Sequence, residues 1–131
     1  VAIDFLVRGL IACTQVMVSE PQLYSVVPCT IQRGPGRTGT YVVLQSILNV
    51  LEFGMSMQEA VSAPRFTSNS NAIDVTNRIP RYVTKDLENM GYQVIRSPFS
   101  YGFAGVHGIR IVDGIWDGGA DPGRDGMTLS V

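Results

Sequence analysis

The order of elements in this sequence predicts an α+β fold in which helices pack on an antiparallel sheet. Three observations carry that prediction. Short runs rich in Val, Ile, Leu and Tyr open the chain at residues 1–7 and 23–31. A longer stretch with apolar residues at helical spacing follows from Thr40. Near the end, Asp113-Gly114 separates two further apolar runs, as a two-residue hairpin turn would.

Taken in order, the first two runs read as buried strands, with Ser19-Glu20-Pro21 between them as a turn or loop. Gly34-Pro35-Gly36 is a second break. From Thr40, Val43, Ile47, Val50 and Leu51 recur at helical spacing, and Leu44, Leu48 and Phe53 widen the stripe so far that the helix should be largely buried. Gly54 ends it, because the residue after a last helical turn often needs a positive φ. Ser56 and Glu59 have the spacing of a capping box and start a short helix that Pro64 stops. Pro80 suits the first turn of a third helix, which would face Val83, Leu87 and Met90 to the core and close at Gly91. Tyr92–Ile95, Val106–Val112 and Ile115–Trp116 read as strands. The segment Gly118-Gly-Ala-Asp-Pro-Gly-Arg-Asp-Gly126 carries four glycines, a proline and three charges in nine positions, a composition that specifies a shaped loop.

Composition bounds the function classes. A chain of 131 residues is one small domain, 1–131, able to bury roughly two-thirds of its unfolded surface. With 45% hydrophobic and 16% charged residues it is globular, and a net charge of −1 offers no basic face for nucleic acid. The most apolar stretch, residues 42–53, is broken by Gln45, Ser46, Asn49 and Glu52, so no membrane span is expected. The first residues carry an early acid and no basic region, unlike a signal peptide, and the absence of an initial Met suggests a processed or partial chain. Cys13 and Cys29 lack zinc-site spacing, so no metal is expected; they read first as buried free thiols, a disulfide between them stays open, and no cofactor is expected. A cytoplasmic and an exported location both remain open.

The motifs are more specific. Leu44-Gln45, Asn49-Val50, Phe53-Gly54-Met55, Gln58-Glu59-Ala60-Val61, Ala63-Pro64-Arg65 and Gly118 to Gly126 apart from Gly123 occur in the order found at the end of the γ-glutamyltranspeptidase family, which the chain therefore resembles. The resemblance covers residues 37–131 well and the first thirty-odd residues loosely. It implies the layered αββα architecture of N-terminal-nucleophile hydrolases and synthesis as a precursor that cleaves itself. In such enzymes a newly exposed threonine, assisted by its own α-amino group, attacks a γ-glutamyl amide, and the acyl group passes to water or an amino acid.

The opening Thr-Thr-His of the family's small subunit is not found here. Thr14, the earliest threonine, has no neighbouring His and reads as a structural hydroxyl. The chain is accordingly read as the C-terminal part of a small subunit, with no catalytic nucleophile of its own. Its expected partners are the large subunit of the same precursor and a γ-glutamyl small molecule.

The site residues implied by the resemblance are few. Gly36 matches the first glycine of a Ser/Thr-Pro-Gly-Gly turn whose amides help build an oxyanion hole. Arg37 stands where the second glycine would be and is a candidate substrate contact. Leu23-Tyr24-Ser25-Val26-Val27-Pro28 resembles Leu-Ser-Ser-Met-Ser-Pro, in which the serine pair binds the substrate α-carboxylate, so Ser25 is the other substrate candidate. Between Ile31 and Gly34 only Gln32 and Arg33 stand where the family has a hairpin, either through deletion or, the favoured reading, because residues are missing there. Arg8, in a segment resembling Leu-x-Asn-Arg-Gly, reads as a surface or ion-pair residue.

Other residues that could suggest chemistry receive structural readings. Strand alternation places His107 with Gly105, Ile109 and Ile111, as a strand histidine with a hydrogen-bond partner. Asp121, Arg124 and Asp125 read as a mutual charge network shaping the terminal loop, and Met55, Met57, Met90 and Trp116 as packing residues. Three function classes follow: a γ-glutamyl hydrolase or transferase, an acylase using the same machinery, and a non-catalytic scaffold. The acylase reading draws on Tyr24, which replaces a serine that would recognise the amino-acid head group.

Overall fold

The computed structural model describes residues 3–8, 11–17, 23–27, 38–68 and 71–129, the first three segments by their backbone. In chain order the elements are β1 (Ile3–Arg8), β2 (Ile11–Met17), β3 (Leu23–Val27), α1 (Thr38–Leu51), α2 (Met57–Ser62), β4 (Phe66–Thr67), β5 (Ala72–Val75), α3 (Arg81–Asn89), β6 (Gln93–Arg96), β7 (His107–Val112) and β8 (Ile115–Gly119). The α+β class is as expected. A five-stranded sheet runs β1-β2-β3-β7-β8, antiparallel throughout, and α2 packs against β7 and β8. A smaller sheet, β4-β5-β6, pairs β5 and β6 in parallel, joined through α3.

The punctuation was legible. Gly54 and Gly91 have φ of +65° and +91° at the ends of α1 and α3, and Asp113 and Gly114 both take positive φ in a two-residue turn that pairs Val112 with Ile115. That turn geometry matches the twist of the strands it joins. Ser19-Glu20-Pro21, the expected end of the second strand at 28–31, and the Gly34-Pro35-Gly36 break lie outside the described residues.

Several expectations are corrected. β2 was not anticipated, because Ile11 to Met17 mixes apolar and polar residues without alternation, yet it is bonded on both sides and contains Thr14. The glycine-rich loop begins as strand: Gly118 and Gly119 belong to β8, paired with Ile109 and Gly108. Glycine is required there by close approach of α2. A Cβ on Gly119 would lie 2.5 Å from the Met57 carbonyl oxygen, and one on Gly108 would lie 2.6 Å from the Met57 methyl group.

The core is formed by Val42, Val43 and Val50 of α1, Met57, Ala60 and Val61 of α2, and Val106 before β7. Met57 is buried and Met55 half-buried, as packing residues should be, but Met90 and Trp116 are about 70% exposed and pack no core here. In α3 the buried residue is Thr84, while Val83 and Leu87 are half-buried. Met90 is the C-cap, where the chain is already leaving the helix, so helical periodicity no longer aims its side chain inward. The expectation that α1 is largely buried also fails. One side packs on the core, but Leu44, Leu48 and Leu51 are exposed on the other.

Candidate functional site

Gly36 and Arg37 lie outside the described residues, as do Cys29 and the side chains of Arg8, Cys13, Thr14 and Ser25. Ser25 is placed by its backbone in β3, paired with Gln15 of β2 on one side and Ile109 of β7 on the other, near the middle of the large sheet. What the described residues bring together is the framework around it, and most of the family-like motif residues take part.

At the start of α2, the Ser56 hydroxyl accepts from the Glu59 amide at 3.2 Å, and the Glu59 carboxylate accepts from the Ser56 amide and hydroxyl, each at 2.8 Å. The Ser56 amide, then its hydroxyl, hold the Glu59 carboxyl below its ordinary value of 4.5. A second acid serves the same turn from the sheet. Asp117 Oδ2 accepts from the Met57 amide at 2.8 Å and from Arg110 Nε at 2.6 Å. A carboxylate there satisfies a free first-turn amide and opposes the positive end of the helix dipole.

Two glutamines act as surrogate strand residues. Gln58 donates to the Ala120 carbonyl and accepts from the Ala120 amide, both at 3.0 Å. Gln45 does the same to Phe66, at 2.7 and 3.1 Å. A primary amide offers one acceptor and a donor side by side, the same pair that a peptide group presents, so it can lie against backbone as a neighbouring strand would. Asn49 adds a 3.4 Å bond to the Ala60 carbonyl, tying α1 to α2.

The centre of the framework is the buried pair Arg65 and Asp121. Arg65 Nη1 bonds Asp121 Oδ2 at 2.7 Å and the Ala104 carbonyl at 2.8 Å, while Nη2 donates to the Val61 carbonyl. Asp121 spends its remaining capacity on the Val106 amide at 3.1 Å and, through Oδ1, the Gly123 amide at 2.8 Å. The mutual network of Asp121, Arg124 and Asp125 is therefore not formed. Asp121 takes its cation from Arg65, and Arg124 instead donates to the Phe103 and Gly123 carbonyls at 2.9 and 2.7 Å. The physical reason is direction: Arg124 lies along Gly105, where a Cβ would come within 2.7 Å of its Cγ. Nothing local in the sequence signals the Arg65–Asp121 pair, since 56 positions separate its members.

His107 has the partner expected of it. Its Nδ1 accepts from the Asp121 amide at 3.3 Å, so in the neutral ring the proton sits on Nε2. The ring borders an open, mainly apolar cavity of about 310 Å³ shared with Ile109, Ala120 and Met127. Among the described residues no three His, Cys, Asp or Glu side chains are grouped to hold a metal ion, and no helix is long and apolar enough to cross a membrane. Among the described residues the arrangement positions backbone.

An antiparallel sheet backed by helices, with terminal motifs locked onto it, is the arrangement of an N-terminal-nucleophile hydrolase, and solved structures of that class superpose on it. The γ-glutamyltranspeptidase of Helicobacter pylori, as its T380A mutant, matches with a TM-score of 0.69 and 28% identity, covering 87% of this chain and 61% of that one. The family model described as gamma-glutamyltranspeptidase matches residues 34–131, and the chain belongs to that family. Among curated relatives it is 35% identical over 89 residues to the acylase ACY 1 proenzyme of Pseudomonas sp. strain SE83, covering 67% of this chain and 16% of the relative. It is 31% identical over 103 residues to the glutathione hydrolase proenzyme of Bacillus subtilis strain 168, covering 78% and 18%. The chain thus spans less than a fifth of the length of these relatives.

Proposed function

We propose that this chain is the C-terminal part of the catalytic subunit of an enzyme that cleaves γ-glutamyl amides through a threonine acyl-enzyme. The observation that carries the reading is that the family motifs are not scattered: Gln45, Gln58, Arg65 and Asp121 join α1, α2, β4 and the β8 end into one hydrogen-bonded framework. The reacting threonine comes from the remainder of the precursor. Its hydroxyl adds to the γ-carbonyl as its α-amino group takes the proton, and the amine departs with that proton. Water or an amino acid then attacks the ester and releases the threonine.

Two residues of this chain are given roles in that sequence. Ser25 holds the substrate α-carboxylate, and its place between two bonded strands supports the role because rigid elements position ligands better than loops. Gly36 presents its amide, or a neighbouring one, to the oxyanion. Arg37 is assigned a contact to the same substrate. The test is release of p-nitroaniline from γ-glutamyl-p-nitroanilide by the proenzyme that carries this chain. Turnover is expected after self-cleavage and not from the 131-residue chain alone; a processed enzyme inert towards γ-glutamyl amides would remove the reading.

A second reading has its own support. The Pseudomonas acylase proenzyme is a 35% identical relative, and Tyr24 stands where the first head-group serine would be. A site that loses a polar contact to the amino-acid head group also loses its discrimination against acyl groups without one. Hydrolysis of an acyl anilide lacking the α-amino acid, faster than that of the γ-glutamyl anilide, would make this the better account.

A further inference from the structure

Helix α1 has no charged side to offer water, and its polar Gln45 and Asn49 are spent on Phe66 and the Ala60 carbonyl. Between Gly39 and Leu51 it carries no charged residue, and its buried positions Val42, Val43, Ser46 and Val50 occupy one side only. At roughly 100° per residue, Leu44, Leu48 and Leu51 fall together almost opposite that side. They are 50%, 40% and 37% exposed, and Phe53, just beyond the helix, is 72% exposed. A helix with apolar residues on two opposite sides is suited to burial on both, and a ridge at i, i+4 and i+7 is the shape that fits a groove on another helix.

We infer that the Leu44–Leu48–Leu51 ridge is the seat of an uncharged, aliphatic helix face from the other subunit of the same proenzyme. This rests on the proposed reading of the chain as part of a processed precursor. One observation favours that occupant over a second copy of this chain. The curated relatives are proenzymes of which the chain spans 16–18%, so most of the polypeptide able to cover the ridge lies outside it. The three leucines themselves carry no charge and the exposed Glu52 stands at their edge, the apolar centre and charged rim of a protein interface.

The test places the photo-crosslinker benzoylphenylalanine at position 48 of the complete proenzyme, with the same group at Tyr82 of the polar helix α3 as a control. After self-cleavage and irradiation, position 48 is expected to give an adduct between the two subunits that maps to a helix, and position 82 is not. An adduct to a second copy of this chain, or none, overturns the inference. Because the crosslinker could disturb packing, Leu48→Cys is labelled with a maleimide in parallel. Loss of labelling in the assembled enzyme that returns when the subunits are separated in urea supports the inference, and equal labelling in both states overturns it. Turnover of the unsubstituted enzyme on the γ-glutamyl anilide is measured beside these. An enzyme inactive on that substrate but crosslinked at position 48 would sink the substrate reading alone.

Discussion

Arg65 and Asp121, 56 residues apart, meet in a 2.7 Å ion pair with side chains only 8% and 1% exposed. Burial makes the pair costly to break from one side, because the surviving buried charge is left without its counter-charge. Arg65→Ala is expected to destabilise the proenzyme by about 3–5 kcal/mol. Arg65→Met combined with Asp121→Asn should cost less than the sum of the two single changes. Urea unfolding of the four proteins tests this; simple additivity would show that the two residues do not act as a unit.

The glutamine contacts are weaker and nearer to water. Gln58→Ala removes both bonds to Ala120 and is expected to cost about 1–2 kcal/mol, at roughly 1 kcal/mol per net hydrogen bond. Gln58→Glu should be no better, since a carboxylate cannot donate to the Ala120 carbonyl. Thermal unfolding of the two variants is the measurement, and a Glu variant as stable as the parent would contradict the assigned geometry.

Two glycines of one hairpin occupy their positions for different reasons, and glycine is required at only one of them. Gly119→Ala drives a methyl group against the Met57 carbonyl and should cost about 1–3 kcal/mol as α2 moves off the sheet. Gly114 has φ +76° but open space around it, so Gly114→Asn should change stability by less than about 0.5 kcal/mol. Equal effects at the two sites would show that backbone conformation, not contact with α2, governs position 119.

Acid should loosen the start of α2. Glu59 has its folded-state pKa lowered by Ser56, so its contribution is present above the ordinary value of 4.5 and is lost as pH falls through the lower, folded value. Glu59→Gln should lose that contribution at neutrality and lack the matching fall below pH 4.5, so that the stabilities of parent and variant converge in acid. Stability curves of parent and variant that stay parallel down to the acid limit would exclude Glu59 as the titrating group.

If Gly36 presents an amide to the oxyanion, Gly36→Val should lower kcat about a hundredfold to a thousandfold in the processed enzyme, equivalent to roughly 2.7–4 kcal/mol, with little change in KM. Ser25→Ala should act mainly on KM. The reverse split between the two variants would exchange their roles.

What the sequence made legible follows from the range of each cause. Gly54, Gly91, the Ser56–Glu59 cap and the Asp113-Gly114 turn are fixed by interactions within a few residues, and all were read correctly. β2 and the strand nature of Gly118 and Gly119 rest on partners that are near in sequence, β1 and β3 for the first and the β7–β8 hairpin for the second, but the mixed composition of Ile11–Met17 and the glycines of the terminal loop hid them. The Arg65–Asp121 pair was missed because 56 positions separate its members, and a nearer cation, Arg124, was put in its place. The exposed side of α1 shows the limit of the apolar pattern, which marks the apolar positions but not which of them the neighbouring elements cover.

The paired amides of Gln45 and Gln58 carry a consequence for how such a family varies. Each glutamine is held through its side chain, but its partner at Phe66 or Ala120 contributes only peptide atoms, which every residue other than proline possesses. Substitution at the partner position leaves the bond intact, so no compensating change at the glutamine would be selected. Contacts of this kind leave a one-sided trace, an invariant letter facing an unconstrained one, and methods that infer proximity from paired substitutions would pass over them.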